Sequence, residues 1–279
     1  MIYKAKVIRR IDKIISKVNC IVFRILIRIN HAKNSNLILE SVWCFVNRHH
    51  KFFSFRKHTS CTNYPQDWRN HVYIDLLISM KRHYRDFCPE VIIHGEEIIL
   101  DELKRGTPTV FLGIHSRLST SFYVLFERYK IKWAVISAYR PDKGKRPYIS
   151  SRANLFGITT PLNLVPNSRD SLLLVRRLIR DNTVICCAPD YKRKDIQVVI
   201  NHVYISPGIF EFCLRLNTLM VYAIPTVLEN ATIDLNLSSP RRAREFETAD
   251  EIIADFTKYV ESVTKLPRNW IVQKRNISR

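Results

Sequence analysis

His115 is the residue of this chain best placed to do chemistry. It follows an apolar, strand-like run over residues 109–114 and precedes a helix-like stretch over residues 118–129. A strand end fixes the backbone, a loop exposes the imidazole ring, and the amides of a helix N-terminus lie nearby for negative charge. A histidine in this setting fits the role of a general base. Such a base ordinarily has a carboxylate partner, and the turn over residues 116–120 contains none.

The residues around His115 narrow the kinds of chemistry to consider. Arg117 lies at the predicted helix start, as a candidate for binding an anionic headgroup or phosphate, or else as a solvated surface cation. The hydroxyl cluster at residues 119–121 lacks the Gly-x-Ser-x-Gly elbow of serine hydrolases. The other histidines show no metal-ligand spacing supported by acids or cysteines, so no metal is expected.

Strand and helix patterns alternate along the chain from residue 91 onward. The predicted strands cover residues 109–114, 132–137, 158–165, 183–188, 197–203, 219–227 and 231–237. The predicted helices cover residues 118–129, 147–156, 168–180, 207–216 and 249–264. This alternation predicts an α/β fold, with a central mostly parallel or mixed sheet flanked by helices. Ligands of such sheets bind at the carboxyl ends of the strands, where His115 and Asp190 would both fall.

The positive charge is concentrated in the N-terminal part of the chain. The net charge is +20, and residues 1–60 hold 13 lysines and arginines against two acids. Over residues 1–30, aliphatic side chains recur at helical spacing opposite a basic face, and the longest uncharged stretch is too short to cross a bilayer. This pattern is typical of a basic amphipathic helix on an anionic membrane surface. The alternative is a helix packed against the body of its own protein.

A second stretch, residues 37–55, interleaves cations with aromatic residues that include Trp43 and Phe45. The mixture favours a membrane interface. It would also suit single-stranded nucleic acid, but no nucleic-acid motif accompanies it, and we expect no nucleic-acid partner. We therefore predict a membrane-associating helical segment over residues 1–60 and an α/β domain over residues 61–279. The seven cysteines have no C-x-x-C spacing and no cleavable signal peptide is evident, which favours reduced thiols.

Several segments, taken in order, resemble the lipid A biosynthesis (lauroyl/myristoyl) acyltransferases of the lysophospholipid acyltransferase superfamily. They are VIIHGEE at 91–97, LKRG at 103–106, the strand ending at His115, Arg152 with Gly157, APD at 188–190, the region from Val199 through Gly208 to Pro225, and PRNW at 267–270. The resemblance covers about residues 68–275. It implies an acyltransferase that moves a fatty acyl chain from an acyl carrier protein or coenzyme A thioester to a hydroxyl or amine of a lipid or glycolipid. It also implies that no cofactor is needed, and a peripheral position on the cytoplasmic face of a bacterial inner membrane.

The resemblance implies roles for individual residues and exposes one departure. His115 would be the general base, and Arg152 occupies a position that handles the acceptor phosphate. The acid of the family's His-x4-Asp/Glu motif falls on Thr120, which can hydrogen-bond the ring or a ligand but carries no charge. Glu127 lies about 10 Å beyond Thr120 along the predicted helix. Asp190, at the end of a possible neighbouring strand, is the better substitute, although it can instead cap the turn that follows it.

Two alternatives to an active acyltransferase remain open. The missing carboxylate suggests a divergent, weakly active or inactive member that binds lipid or carrier protein without transfer. An α/β scaffold is equally compatible with another transferase, for instance in surface-polysaccharide assembly. Consumption of an acyl thioester separates the first interpretation from both alternatives, and binding of a sugar nucleotide would indicate the last.

Overall fold

The computed structural model describes residues 35–48, 67–137, 151–166, 171–191, 203–264 and 271–273. The α-helices are α1 Ser35–Arg48, α2 Asp67–His83, α3 Glu96–Lys104, α4 Tyr123–Tyr129, α5 Ser151–Leu155, α6 Ser171–Arg180, α7 Gly208–Leu216 and α8 Ala249–Thr264. The strands are β1 Val91–His94, β2 Thr109–Leu112, β3 Trp133–Ser137, β4 Leu164–Pro166, β5 Val184–Cys187, β6 Asp190–Tyr191, β7 Val203–Ile205, β8 Leu219–Val227, β9 Ile233–Leu237, β10 Arg241–Arg242 and β11 Ile271–Gln273. Two 3-10 helices span Ser119–Phe122 and Ala243–Glu245.

An eight-stranded mixed sheet forms the centre of the protein, in the order β1-β9-β8-β2-β5-β3-β4 with β10 beside β8. The strands from β8 to β4 run parallel to one another, whereas β9 and β10 are antiparallel to β8. Parallel strands are covered on both faces, so their sequences are nearly continuous apolar runs. All four side chains of β2 are buried, as expected for the middle of such a sheet. The α/β class predicted from the alternating patterns is confirmed.

Helices pack on both faces of this sheet and bury two apolar cores. Side chains of α1 to α5 meet one face, where Phe111 of β2 packs with Phe126 of α4. Side chains of α6, α7 and α8 meet the other face, where Phe210 and Phe256 pack together. The alternation of β2 residues between the two cores follows from the two-residue period of a strand. The central strands therefore hold a rigid position between two helical layers.

The ends of β2 and β5 are aligned in register at the carboxyl edge of the sheet. Leu112 pairs with Cys187, and the backbone N–H of Gly113 donates to the Cys187 carbonyl at 2.9 Å. Gly113 also lies where the chain is crowded, because a Cβ at this position would be 3.2 Å from the carbonyl oxygen of Ala223 on β8. The loop that follows β2 thus leaves the sheet from a closely packed position.

A second, three-stranded sheet in the order β11-β7-β6 supports the chain just after β5. Asp190 pairs with Ile205 in this sheet, and the backbone N–H of Ser206 donates to the Pro189 carbonyl at 2.9 Å. The backbone at Asp190 is therefore held by β5 on one side and by β7 on the other.

The structure corrects several details of the sequence interpretation. Trp43, assigned above to a membrane interface, is fully buried: it contacts Tyr73 edge-on, and its indole N–H donates to the carbonyl of Leu228 at 2.6 Å. The helix predicted over residues 118–129 begins as a 3-10 turn, since Ser116 Oγ accepts the N–H of Leu118 and favours a tighter entry. The proposed amphipathic segment over residues 1–30 lies outside the described residues, as does the boundary near residue 60. Within the described ranges, no helix is long and apolar enough to cross a bilayer.

Candidate functional site

The site is built around a contact between His115 and Asp190 in the loops that follow β2 and β5. The Nδ1 atom of His115 lies 3.0 Å from Oδ1 of Asp190, and the backbone N–H of His115 donates to the same oxygen at 2.8 Å. The imidazole side chain is 63% exposed, whereas the carboxylate is wholly buried. One end of the ring is thus anchored in the protein and the other faces solvent.

Strand register explains why these two residues meet across 75 positions of sequence. Leu112 and Cys187 are paired in neighbouring parallel strands, and His115 and Asp190 each follow their paired residue by three positions. Parallel strands that leave the sheet at the same level bring equally distant residues side by side. The proximity follows from the pairing of β2 with β5, and the β6–β7 pairing keeps Asp190 from moving away.

The buried carboxylate controls the protonation of the ring. A buried carboxylate accepts hydrogen bonds and cannot remain ionised without them, so Nδ1 of His115 is assigned as the N–H donor to Asp190. This tautomer leaves the Nε2 atom of His115 with a lone pair. The hydrogen bond to Asp190 raises the pKa of His115 above its ordinary 6.5, against the opposing effect of partial burial. The ring is therefore a stronger base than a free histidine, and its charged form is stabilised by the carboxylate.

Thr120, at the position where the acyltransferases that the sequence resembles carry their motif acid, makes no hydrogen bond to the His115 ring. It lies on the 3-10 helix after His115, and its hydroxyl oxygen is buried without a hydrogen-bond partner in the part of the chain that the structure describes. Asp190 is the residue that contacts the His115 ring instead. A buried hydroxyl that lacks a partner carries a desolvation penalty, which a ligand group can remove by hydrogen bonding.

The two candidate arginines lie on segments next to this turn. Arg117 is half-buried, two residues after His115. Arg152 is exposed on α5, a helix that packs beside the 3-10 helix carrying Thr120. Their proposed role in binding anionic groups stays a prediction. No group of three or more His, Cys, Asp or Glu side chains suited to a metal ion occurs among the described residues.

Sequence reasoning missed a second histidine–carboxylate contact. Nε2 of His94 on β1 lies 2.6 Å from Oδ1 of Asp234 on β9, although the two groups are not aligned as a hydrogen bond. The His94 side chain is 58% exposed. The two residues belong to parallel neighbouring strands, so only the sheet order could have revealed the contact. The pair of His94 and Asp234 therefore resembles that of His115 and Asp190, with an exposed ring beside a less exposed carboxylate.

Comparisons with known proteins find a structural likeness but no sequence match. No model of a known protein family matches the sequence, and no curated protein sequence matches it. Among solved structures, the chain is similar to the crystal structure of the 1-acyl-sn-glycerophosphate (LPA) acyltransferase PlsC from Thermotoga maritima, with 14% identity and a TM-score of 0.39. The alignment covers 82% of this chain and 94% of that chain. We therefore infer function from the residues of the site.

Proposed function

We propose that this protein is a membrane-associated acyltransferase in which His115 is the general base. The observation that carries the proposal is the anchored histidine: an exposed ring whose Nδ1 contacts the fully buried carboxylate of Asp190 at the carboxyl edge of the sheet. This arrangement fits proton abstraction from a substrate that approaches from solvent. The order of sequence segments around it resembles that of the acyltransferases named above.

The proposed reaction needs no group beyond the substrates and these side chains. Nε2 of His115 removes the proton from an acceptor hydroxyl or amine as its oxygen or nitrogen attacks the carbonyl carbon of an acyl thioester. The imidazolium formed is stabilised by Asp190, 3.0 Å away. When the tetrahedral intermediate collapses, the carbon–sulfur bond breaks and the departing thiolate takes the proton from the imidazolium. An ester or amide and a free thiol result, and the histidine returns to its neutral form.

The substrates that we propose follow from charge and from the sequence resemblance. The donor is an acyl carrier protein or coenzyme A thioester, and an acidic carrier protein would complement a chain of net charge +20. The acceptor is a lipid or glycolipid, whose phosphate Arg117 and Arg152 would bind while Thr120 donates its hydroxyl proton to it. We place the protein peripherally on the cytoplasmic face of a bacterial inner membrane.

The contact with Asp190 weakens the main reason for proposing an inactive family member. That alternative was motivated by Thr120, which leaves the motif without a carboxylate. A carboxylate from β6 now contacts Nδ1 of His115, the atom that the motif acid would orient. A transferase of surface-polysaccharide assembly has no observation in its favour within the described residues and remains an outcome of the test.

The test is an acyl-transfer assay on membranes from cells that express the protein, with labelled acyl-carrier-protein and acyl-coenzyme A donors and lipid mass spectrometry as the readout. We expect a new acylated lipid with the wild type and its loss with His115→Ala. The matched control is His94→Ala, which removes another exposed histidine beside a carboxylate and should leave the product in place. Full product from His115→Ala would refute the role of the base. No product from any protein with either donor would refute acyl transfer.

A further inference from the structure

Helix α6 begins with an apolar surface that no described part of the chain covers. Leu172, Leu173 and Leu174 are 46%, 76% and 39% exposed, whereas Val175 and Ile179 of the same helix are buried against the sheet. Leu172 precedes the buried Val175 and Ile179 by three and seven residues, a spacing that predicts a shared buried face, yet the structure leaves it exposed. Single exposed leucines are common, but three in succession form a patch of the kind that marks an interaction surface.

The patch lies at the same edge of the sheet as His115 and Asp190. Strand β4 is parallel to β3, and β3 is parallel to β5, so all three strands end at the carboxyl edge. Strand β4 ends at Pro166, and α6 starts at Ser171 and packs back along β4 and β5. Its first turn is therefore at the carboxyl edge. Because β4 is two strands away from β5, the patch is on the order of 10 Å from the site in the direction across the sheet.

Cations follow the apolar turn along the outward side of the helix. Arg176, Arg177 and Arg180 are exposed and follow Leu173 by three, four and seven residues, the spacing of one helical face. At the rise of an α-helix, the first two arginines lie roughly 4.5–6 Å beyond Leu173 along the axis. Leucines in the first turn of the helix and arginines one turn later match the layers of a lipid monolayer, in which acyl chains lie beneath anionic phosphates.

The opposite flank of the site also presents apolar side chains at this edge. Strand β8 runs parallel to β2 and continues five residues past Tyr222, the partner of Leu112. Leu228, just after the end of β8, is 37% exposed, and Phe45 of α1, the helix whose Trp43 donates to the Leu228 carbonyl, is 50% exposed. Apolar groups therefore stand on both sides of the His115 loop.

We propose that the carboxyl edge of the sheet docks end-on onto an anionic lipid bilayer. The first turn of α6 inserts among the acyl chains, Arg176 and Arg177 bind the phosphates, and the His115 ring faces the membrane surface. Only one consequence of this proposal rests on the proposed function: a lipid acceptor would reach the base without leaving the bilayer. The docking surface itself is independent of the amphipathic segment predicted over residues 1–30.

Site-specific insertion can be measured with Leu173→Trp in the full-length protein. Vesicles of phosphatidylcholine and phosphatidylglycerol carry brominated acyl chains, which quench a tryptophan only where it enters the apolar region. The matched control is Ile98→Trp on α3, where Ile98 is 54% exposed. This helix lies at the opposite edge of the sheet, because its Glu102 contacts Arg242, which pairs with Leu219, the first residue of β8. We expect quenching of the added emission for Leu173→Trp and none for Ile98→Trp. Equal quenching, or none in either variant, would overturn the proposal even if the vesicles bind the protein through another segment.

A second measurement links the patch to the reaction. Leu173→Ser should weaken vesicle binding through this surface by about tenfold, the effect of returning one leucine side chain to water. It should lower acyl transfer to an acceptor in vesicles and leave transfer to the same acceptor dispersed in detergent unchanged. If transfer falls equally in both, or if Leu173→Ser abolishes a dimer while Leu173→Trp is not quenched, the bilayer is the wrong partner. Quenching without any acyl transfer would retain the docking surface and refute the proposed function.

Discussion

Replacement of Asp190 by asparagine tests the proposed base most directly. Both hydrogen bonds from His115 go to the same oxygen of Asp190. The amide oxygen of asparagine can occupy that position and accept both bonds. The substitution therefore removes the negative charge and changes the local geometry little. Its effect on rate reports chiefly the electrostatic stabilisation of the imidazolium.

The size of that effect follows from the distance. At 3.0 Å, unit charges on the ring and the carboxylate attract by about 5.5 kcal/mol at an effective dielectric constant of about 20, and by about 1.4 kcal/mol in bulk water. The ring is 63% exposed and the carboxylate is buried, so the true value lies between these limits. Asp190→Asn should therefore reduce the rate of acyl transfer by roughly 10-fold to 10⁴-fold. If the amide of the asparagine rotates so that its NH2 group faces Nδ1 of His115, it fixes the tautomer with the proton on Nε2. The loss of rate will then be near the upper limit.

The assay is a rate–pH profile of acyl transfer with purified protein in vesicles. The base must be neutral, so the rate rises as pH increases through the pKa of His115, which Asp190 holds above 6.5. Asp190→Asn removes the negative charge that contributes to that elevation, so the rising limb should move to lower pH as the plateau falls. The control is Asp234→Asn, which neutralises the carboxylate beside His94. If Asp190→Asn transfers acyl groups at the wild-type rate and the rising limb of its rate–pH profile does not move, Asp190 is not the carboxylate that assists the base.

Three further predictions concern the residues around the base. His115→Gln should lose stability relative to the wild type mainly at low pH: the raised pKa stabilises the folded state fully below pH 6.5, and this stabilisation disappears as pH rises through the folded pKa. Urea unfolding at several pH values measures the difference, and a pH-independent difference would contradict the reasoning. Gly113→Ala should lower the free energy of unfolding by about 1–3 kcal/mol, because the new Cβ meets the Ala223 carbonyl at 3.2 Å. Thermal melts test this, and an unchanged Tm would show that β8 shifts at little cost to make room for the added methyl group. Thr120→Val should leave Tm unchanged, since no described residue bonds its hydroxyl, and should raise KM for the acceptor by about tenfold if that hydroxyl binds substrate; an unchanged KM would make Thr120 a packing residue.

Local sequence pattern was sufficient to predict the α/β class and the longest elements. Strand β8 and helix α8 have the bounds predicted for them, because a long apolar run and a long amphipathic repeat are strong signals of secondary structure. The position of His115 at a strand end was also visible in the sequence, since the apolar run stops just before it. The short elements were less predictable: the paired β6 and β7 segments are two and three residues long, and their existence depends on each other.

Which carboxylate contacts His115 was decided only in the tertiary structure. The sequence motif directs attention to Thr120, five residues away, and it offers Asp190 only as a candidate 75 residues away. The register of β2 against β5 selects Asp190, because paired strands place their following loops at the same level. The burial of Trp43 and the exposure of Leu172 were likewise beyond the reach of periodicity. A residue's own neighbours in sequence set its propensity for helix or strand, whereas its burial and its charged partners depend on segments that only the folded chain brings together.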